Sequence, residues 1–135
     1  MRRRSFANGW LVALLAACSS ASSDTTPPLG DWGSNQASLT IADTSARLYV
    51  ASGSCYIAFA DISGRISGGS FTRSGTFTQL VGYSPGSVQY PATFSGSGDA
   101  SIVSITITVG GLGQNIGPLS VAQGVVKNFP ACAVP

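Results

Sequence analysis

The chain has 135 residues, of which 9% are charged, with seven Lys or Arg residues against five acidic residues that are all aspartate. This length suits a single domain. Histidine and glutamate are both absent, which excludes a Ser–His–Asp or Cys–His catalytic arrangement and removes the commonest metal ligand. The composition therefore predicts a protein with no metal, no other cofactor and no enzymatic activity.

The N-terminus has the features of an export signal. Three arginines at positions 2–4 are followed by an apolar run over residues 9–17, which is the order of charged and apolar regions in such signals. The run is shorter than the roughly 20 apolar residues that a membrane-spanning helix needs. We therefore predict a signal peptide over residues 1–17 and a mature chain that does not cross a bilayer.

The sequence LAAC at residues 15–18 resembles the lipobox of bacterial lipoproteins. In that family the cysteine sulfur is joined to diacylglycerol, the chain is cut directly before the cysteine, and the new amino group is usually acylated with a fatty acid such as palmitate. The resemblance implies that Cys18 is the mature N-terminus and the lipid anchor of a protein of the bacterial cell envelope. The alternative is an ordinary export signal cut near Ala17 or Ala21.

Removal of the signal changes the charge of the protein. Three of the seven basic residues lie in the predicted signal, so four remain against five aspartates, a net charge of −1. A nucleic-acid-binding domain normally carries a basic surface. The mature chain is therefore predicted not to bind nucleic acid.

Residues 18–28 are predicted to be the lipidated cysteine and a flexible tether. The segment SSASSDTTPP is rich in Ser, Thr and Pro and has no apolar periodicity, which is typical of disorder. Such a tether would span on the order of 17 Å. In Gram-negative lipoproteins a serine after the anchor, as at Ser19, goes with sorting to the outer membrane.

Residues 29–135 are predicted to form one all-β domain. Short runs rich in β-branched and aromatic residues are separated by Gly, Ser, Asn and Asp, which is the pattern of strands and hairpin turns. The runs are ASLTIAD, RLYVA, CYIAFAD, SFTRSGTFTQLVGY, VQYPATFSGSG, SIVSITITV and PLSVAQGVVKNFPAC. Seven to nine strands of this kind suit a small antiparallel barrel or a sandwich.

Two cysteines remain after Cys18, and they predict one disulfide bond. Cys55 and Cys132 form an even pair in a compartment where disulfides persist, and only one intramolecular pairing exists. The bond would fix the C-terminal segment FPACAVP to the early part of the domain. Two free buried thiols are the alternative.

Gly30, Asp31 and Trp32 precede the first predicted strand and resemble the G-x-W opening of the calycin superfamily, which includes the lipocalins and avidins. In that superfamily the tryptophan plugs one end of an up-and-down barrel, often beneath a basic side chain from a late strand. The resemblance implies this plug role for Trp32, with Lys127 as the basic residue. The alternatives are a tryptophan that starts the core of an unrelated sandwich and a lysine that is simply solvated.

Tyrosine and phenylalanine residues supply most of the aromatic surface of the domain. They are Tyr49, Tyr56, Tyr83, Tyr90, Phe59, Phe71, Phe77 and Phe94. In a barrel about half would point inward, where they either fill the core or line a ligand cavity. The tyrosines also suit a contact surface, because they offer large area at low entropic cost.

Two further patterns are assigned to turns. The segment GGLGQNIGP at residues 110–118 lacks the third glycine and the helix of a phosphate-binding loop, so it is predicted to be a hairpin loop. The scattered aspartates Asp31, Asp43, Asp61 and Asp99 are also expected at turns, where aspartate caps nearby backbone groups.

Two functions remain open at this point. The first is a lipid-anchored, non-catalytic envelope domain whose β-surface binds a protein or a cell-wall component. The second is a calycin-like carrier for a small apolar ligand. An inhibitor of an exported protease would be a variant of the first.

Overall fold

A computed structural model of the chain describes residues 26–81 and 86–132. Within these residues every regular element is a β-strand, and no helix is long and apolar enough to cross a membrane. The strands are β1 (Gly30–Gly33), β2 (Ala37–Ile41), β3 (Ser45–Ser52), β4 (Cys55–Ser63), β5 (Gly69–Val81), β6 (Gly86–Gly98), β7 (Ile102–Val109) and β8 (Gln114–Gln123). Cys18 and the predicted signal peptide lie outside the described residues.

The eight strands form a closed antiparallel barrel in chain order, with each strand paired to the next. Closure is made by β1 and β8, which pair Trp32 with Gln123 and Gly33 with Ala122. The prediction of an all-β domain of seven to nine strands is confirmed. Of the two predicted architectures, a barrel or a sandwich, the structure is a barrel.

The interior is filled by the inward-facing residues of alternating strand positions. In β2 the side chains of Ala37, Leu39 and Ile41 are buried, and in β7 the same alternation buries Val103, Ile105, Ile107 and Val109. The buried apolar residues from other strands and loops are Trp32, Ala46, Leu48, Val50, Ala58, Ala60, Ile62, Ile66, Phe71, Phe77, Ala92, Phe94, Leu119 and Val121. An eight-stranded barrel has an interior just wide enough for such side chains.

One barrel end is closed by the segment that leads into β1. The Trp32 indole N–H donates to the Pro28 carbonyl oxygen at 3.1 Å, and the Arg65 guanidinium donates to the Pro27 carbonyl oxygen at 2.8 Å. Beside them, Ile66 is completely buried in the loop between β4 and β5. The last residues of the segment assigned to the tether are therefore held against the barrel.

The long strands β5 and β6 require glycine where neighbouring strands come close. A Cβ atom on Gly75 would collide with the backbone oxygen of Asp61, and one on Gly96 with the backbone oxygen of Ser104. Both residues lie within strands of 13 residues. Glycine within a strand is typical of a bend or a close backbone approach, and here it is the close approach that excludes a side chain.

After β8 the chain leaves the barrel wall and crosses its outer surface as a strap, residues 124–132. The strap begins with a hydrogen bond from the Gly124 N–H to the Asp31 carbonyl oxygen at 3.0 Å. It ends at β4, where the Tyr56 N–H donates to Pro130 and the Cys132 N–H donates to Tyr56. The predicted disulfide is confirmed: Cys55 and Cys132 are bonded, with 4.8 Å between their Cα atoms.

Candidate functional site

The outer wall formed by β1–β4 carries the aromatic side chains that the interior does not use. Phe71, Phe77 and Phe94 point inward and are buried. Tyr49 and Tyr56, by contrast, are only half-buried, and their rings contact each other with 4.8 Å between centroids. Tyr90 is partly buried against the core. Tyr83 lies outside the described residues.

A β-bulge brings Tyr56 onto the same face as Phe59. Val50 pairs with Ala58 but Ala51 pairs with Tyr56, so Ile57 is an extra residue in β4. Without it, residues three apart would face opposite sides of the sheet. The Tyr56 and Phe59 rings instead lie 6.5 Å apart, and Tyr49 lies 6.0 Å from Phe59.

An arginine near the start of β3 extends this aromatic cluster. The Arg47 guanidinium lies 4.9 Å from the centroid of the Phe59 ring, and its Nε donates to the Asp61 carboxylate at 2.8 Å. The hydrogen bond to Asp61 raises the pKa of Arg47, so the guanidinium is always charged. We call Arg47, Tyr49, Tyr56 and Phe59 the outer patch.

A groove of about 420 Å³ lies between the strap and the barrel wall, next to the outer patch. Its floor comes from β1–β4 and its cover from the strap. The lining residues are Asp31, Ser38, Thr40, Tyr49, Tyr56, Val126, Lys127, Asn128, Phe129, Pro130 and Ala131. The volume falls within the range typical of small-ligand sites, about 300–1,000 Å³.

The strap is held against the barrel wall on both sides of the groove, and on one side it packs directly on Gly33. A Cβ atom on Gly33 would lie 2.6 Å from the Val125 carbonyl oxygen and 2.9 Å from the Lys127 Cγ. Any other residue at position 33 would push the strap outward. The disulfide at Cys132 fixes the other end, so the strap is held at both sides of the groove.

Two charged side chains of opposite sign line the groove. Asp31 projects outward from β1, and its Oδ1 accepts a hydrogen bond from the Thr40 hydroxyl at 3.0 Å. Lys127 belongs to the strap, and its aliphatic part lies against Gly33. In the described part of the chain, ion pairs are formed by Arg47 with Asp61 and by Arg65 with Asp43, and none involves Lys127.

Trp32 and Lys127, the predicted plug and its basic cover, lie on opposite sides of β1. Trp32 is completely buried in the interior, whereas Lys127 lies on the outer wall and lines the groove. The indole contacts the segment before β1 through the Pro28 carbonyl. A basic residue that binds the segment before β1 at that barrel end is Arg65, through the Pro27 carbonyl oxygen.

The aspartates divide between turns and strands. Asp99 caps the turn before β7, and hydrogen bonds from the N–H groups of Ile102 and Ser101 lower its pKa. Asp43 also lies in a turn. The expectation is wrong for Asp31 and Asp61, which lie inside β1 and β4, because each is an outward-facing position where a solvated carboxylate is tolerated.

Residues 110–113 form the turn between β7 and β8, so the predicted hairpin is confirmed, although it is shorter than the nine-residue segment suggested. Gly111 and Gly113 there have positive φ angles of 88° and 61°.

Another groove, of about 310 Å³, lies over β5–β7 and has no charged side chain in its lining. Across the described ranges, no group of three His, Cys, Asp or Glu residues is placed to hold a metal ion.

Sequence reasoning missed Asp31, Arg47 and Phe129 as surface-site residues. Arg47 alternates with Leu48 in β3 and so had to face outward, but its stacking on Phe59 depends on the pairing of Tyr49 with Phe59. Phe129 lies in a segment that the sequence assigned to the last strand. Its place in the groove follows only from the path of the strap.

No protein-family model, curated protein sequence or solved structure matches this chain.

Proposed function

We propose that this protein is a lipid-anchored, non-catalytic domain of the bacterial cell envelope that binds a protein or a cell-wall component. The observation that carries the proposal is the groove beneath the strap together with the outer patch beside it. Both lie on the outer wall of the barrel, where a large partner has access. The binding face is therefore β1–β4 and the strap.

The side-chain types of this face support a role in recognition. Tyr, Phe and Arg are enriched where proteins bind partners, because rigid rings and the guanidinium fork lose little conformational freedom on contact. Tyr49, Tyr56 and Phe59 form one continuous aromatic cluster with Arg47 stacked on it. The wall at β7, which lies opposite in a barrel of eight strands, presents mainly Ser and Thr.

The anchor at Cys18 rests on the lipobox resemblance. In this proposal the lipid would hold the barrel by the end at which Pro27 and Pro28 are bound. The groove lies on the side wall, so the anchor leaves it accessible to components of the envelope. In Gram-negative cells the membrane would be the outer membrane.

A carrier of a small apolar ligand is the second candidate. It is supported by the closed eight-stranded barrel with a buried tryptophan in its first strand, since barrels of this size hold one small ligand or none. The tightly filled interior makes it the weaker candidate. Native mass spectrometry of the purified chain would detect a co-purifying ligand, and a protein free of ligand would remove this candidate.

The first proposal is tested by retention on cell-wall sacculi and by cross-linking to envelope proteins. Tyr49→Ala should reduce capture at least tenfold, because it removes a ring shared by the groove and the outer patch. Thr93→Ala is the control, since Thr93 is exposed on β6, four strands from β2 around the eight-stranded barrel, and it should bind as the wild type does. Equal capture of both variants would contradict the proposal.

The anchor needs its own experiment. Metabolic labelling with a fatty acid should mark the wild-type protein and leave Cys18→Ala unlabelled. Label in Cys18→Ala, or an unprocessed N-terminus in both proteins, would overturn the anchor without bearing on the groove.

A further inference from the structure

The groove combines one carboxylate and one ammonium group that come from different parts of the chain. Asp31 stands on the wall strand β1, and Lys127 stands on the strap that covers it. The two are not joined in an ion pair within residues 26–81 and 86–132. A site of this kind offers a negative and a positive partner to the same ligand.

The Asp31 carboxylate is oriented before any ligand arrives. The Thr40 hydroxyl donates to Oδ1, which leaves Oδ2 available toward the groove. The Lys127 stem is likewise fixed, because its Cβ and Cγ lie against Gly33. Pre-oriented charges lose less freedom on binding, so each retains more of its interaction energy with the ligand.

We propose that the groove binds a zwitterionic α-amino-carboxylate group, as found at a free end of a cell-wall peptide. This inference rests on the proposed function and names the component that the groove takes. The ligand's ammonium would donate to Asp31, and its carboxylate would accept from Lys127. The alkyl chain would pack between the rings of Tyr49, Tyr56 and Phe129, which complete the lining.

Charge complementarity favours this ligand over simpler ones. A dicarboxylate would meet Lys127 but be repelled by Asp31, and a diamine would meet the reverse situation. A neutral sugar would use the hydroxyls of Ser38 and Thr40 but would leave the lysine ammonium without a counter-charge. A ligand that carries both charges pairs with both side chains, and hydrogen bonds between charged groups are stronger than those between neutral ones.

The test is calorimetric titration of the full chain, extracted in detergent, with three related compounds. Meso-diaminopimelate carries an α-amino-carboxylate at each end of its carbon chain. Pimelate lacks the amines, and 1,5-diaminopentane lacks the carboxylates. Meso-diaminopimelate should bind at least about tenfold more tightly than pimelate or 1,5-diaminopentane, each of which carries charges of only one sign. Equal affinity for all three, or binding of none of them, would overturn the inference.

Two charge-neutralising variants assign the binding to the groove. Asp31→Asn keeps the acceptor for Thr40, and Lys127→Gln keeps the Cβ and Cγ that lie against Gly33, so neither should disturb the fold. Each should weaken meso-diaminopimelate binding about tenfold. Asp43→Asn is the control, because that carboxylate is 85% exposed in a turn and does not line the groove, and it should change nothing. Unaltered binding by both groove variants would contradict the assignment.

The inference and the proposed function fail in different ways. If no compound binds but sacculi or an envelope protein are captured by the wild type and lost with Tyr49→Ala, the zwitterion site is wrong and the binding face stands. If Tyr49→Ala and the Thr93→Ala control are captured equally, the binding face itself is wrong.

Discussion

Replacing both disulfide cysteines, Cys55→Ser with Cys132→Ser, should release the strap while leaving the barrel closed. The bond links residues 77 apart in sequence. A loop of that length gives about 4.5 kcal/mol of stabilisation in the chain-entropy model, as an upper estimate. The free energy of unfolding falls by this full amount only if the strap stays docked on the barrel when the bond is absent.

The structure indicates that the strap will not stay in place. Beyond the disulfide, its far end is held by two backbone hydrogen bonds to Tyr56, of 2.9 and 3.0 Å, worth about 1 kcal/mol each. Ordering its residues costs about 1 kcal/mol or more apiece. Release of the strap therefore returns entropy to the folded state, and the net loss in the free energy of unfolding should be clearly smaller than the value of about 4.5 kcal/mol from the chain-entropy model.

Urea denaturation and amide hydrogen exchange measure the two halves of this prediction. The free energy of unfolding obtained from urea denaturation should fall by less than about 4.5 kcal/mol, and the Tyr56 amide should lose its protection while the Ile105 amide in β7 keeps it. A loss near 4.5 kcal/mol with the Tyr56 amide still protected would show that the strap docks without the bond. Loss of protection at both amides would show that strap and barrel fold as one unit. Either result would refute the reasoning.

Other substitutions test separate parts of the account. Gly33→Ala would place a Cβ 2.6 Å from a strap carbonyl oxygen, so it should expose to exchange the Gly124 amide, which bonds to Asp31 at that end of the strap, and weaken groove binding while costing the barrel less than about 1 kcal/mol. Gly96→Ala should destabilise the barrel by about 2 kcal/mol or more in urea denaturation, because its Cβ would meet backbone. Ile105→Ala should cost about 2–5 kcal/mol by the same measurement, as expected for a fully buried isoleucine. Asp99 has a folded-state pKa below its ordinary value of 3.8, so its charged form stabilises the fold above that pH, and the Tm difference between wild type and Asp99→Ala should be largest near neutral pH and shrink as the pH falls through the folded-state pKa.

Alternation in the sequence was enough to predict the strands and their buried faces, although not whether they form a barrel or a sandwich. The inward residues of β2 and β3, such as Leu39 and Leu48, follow the period of two that a half-buried strand imposes. The disulfide followed from counting, since two cysteines allow one pairing. These features depend on local pattern or on arithmetic, and neither needs the three-dimensional path of the chain.

The candidate site was not predictable in the same way. The bulge at Ile57 moves Tyr56 to the face of Phe59, and an inserted residue leaves no signature in an otherwise regular apolar run. Lys127 and Phe129 were placed at the end of a last strand, but that strand ends at Gln123. The strap departs there because Cys132 must reach Cys55, a long-range constraint that strand patterning does not express.

Photo-cross-linking in intact cells tests the central claim most directly. A photoreactive side chain at Asn128, an exposed residue that lines the groove, should yield cross-links to an envelope component, and the same group at Thr93, which is exposed on β6 across the barrel from the groove, should yield none. Cross-links from position 93 with none from position 128 would contradict the account.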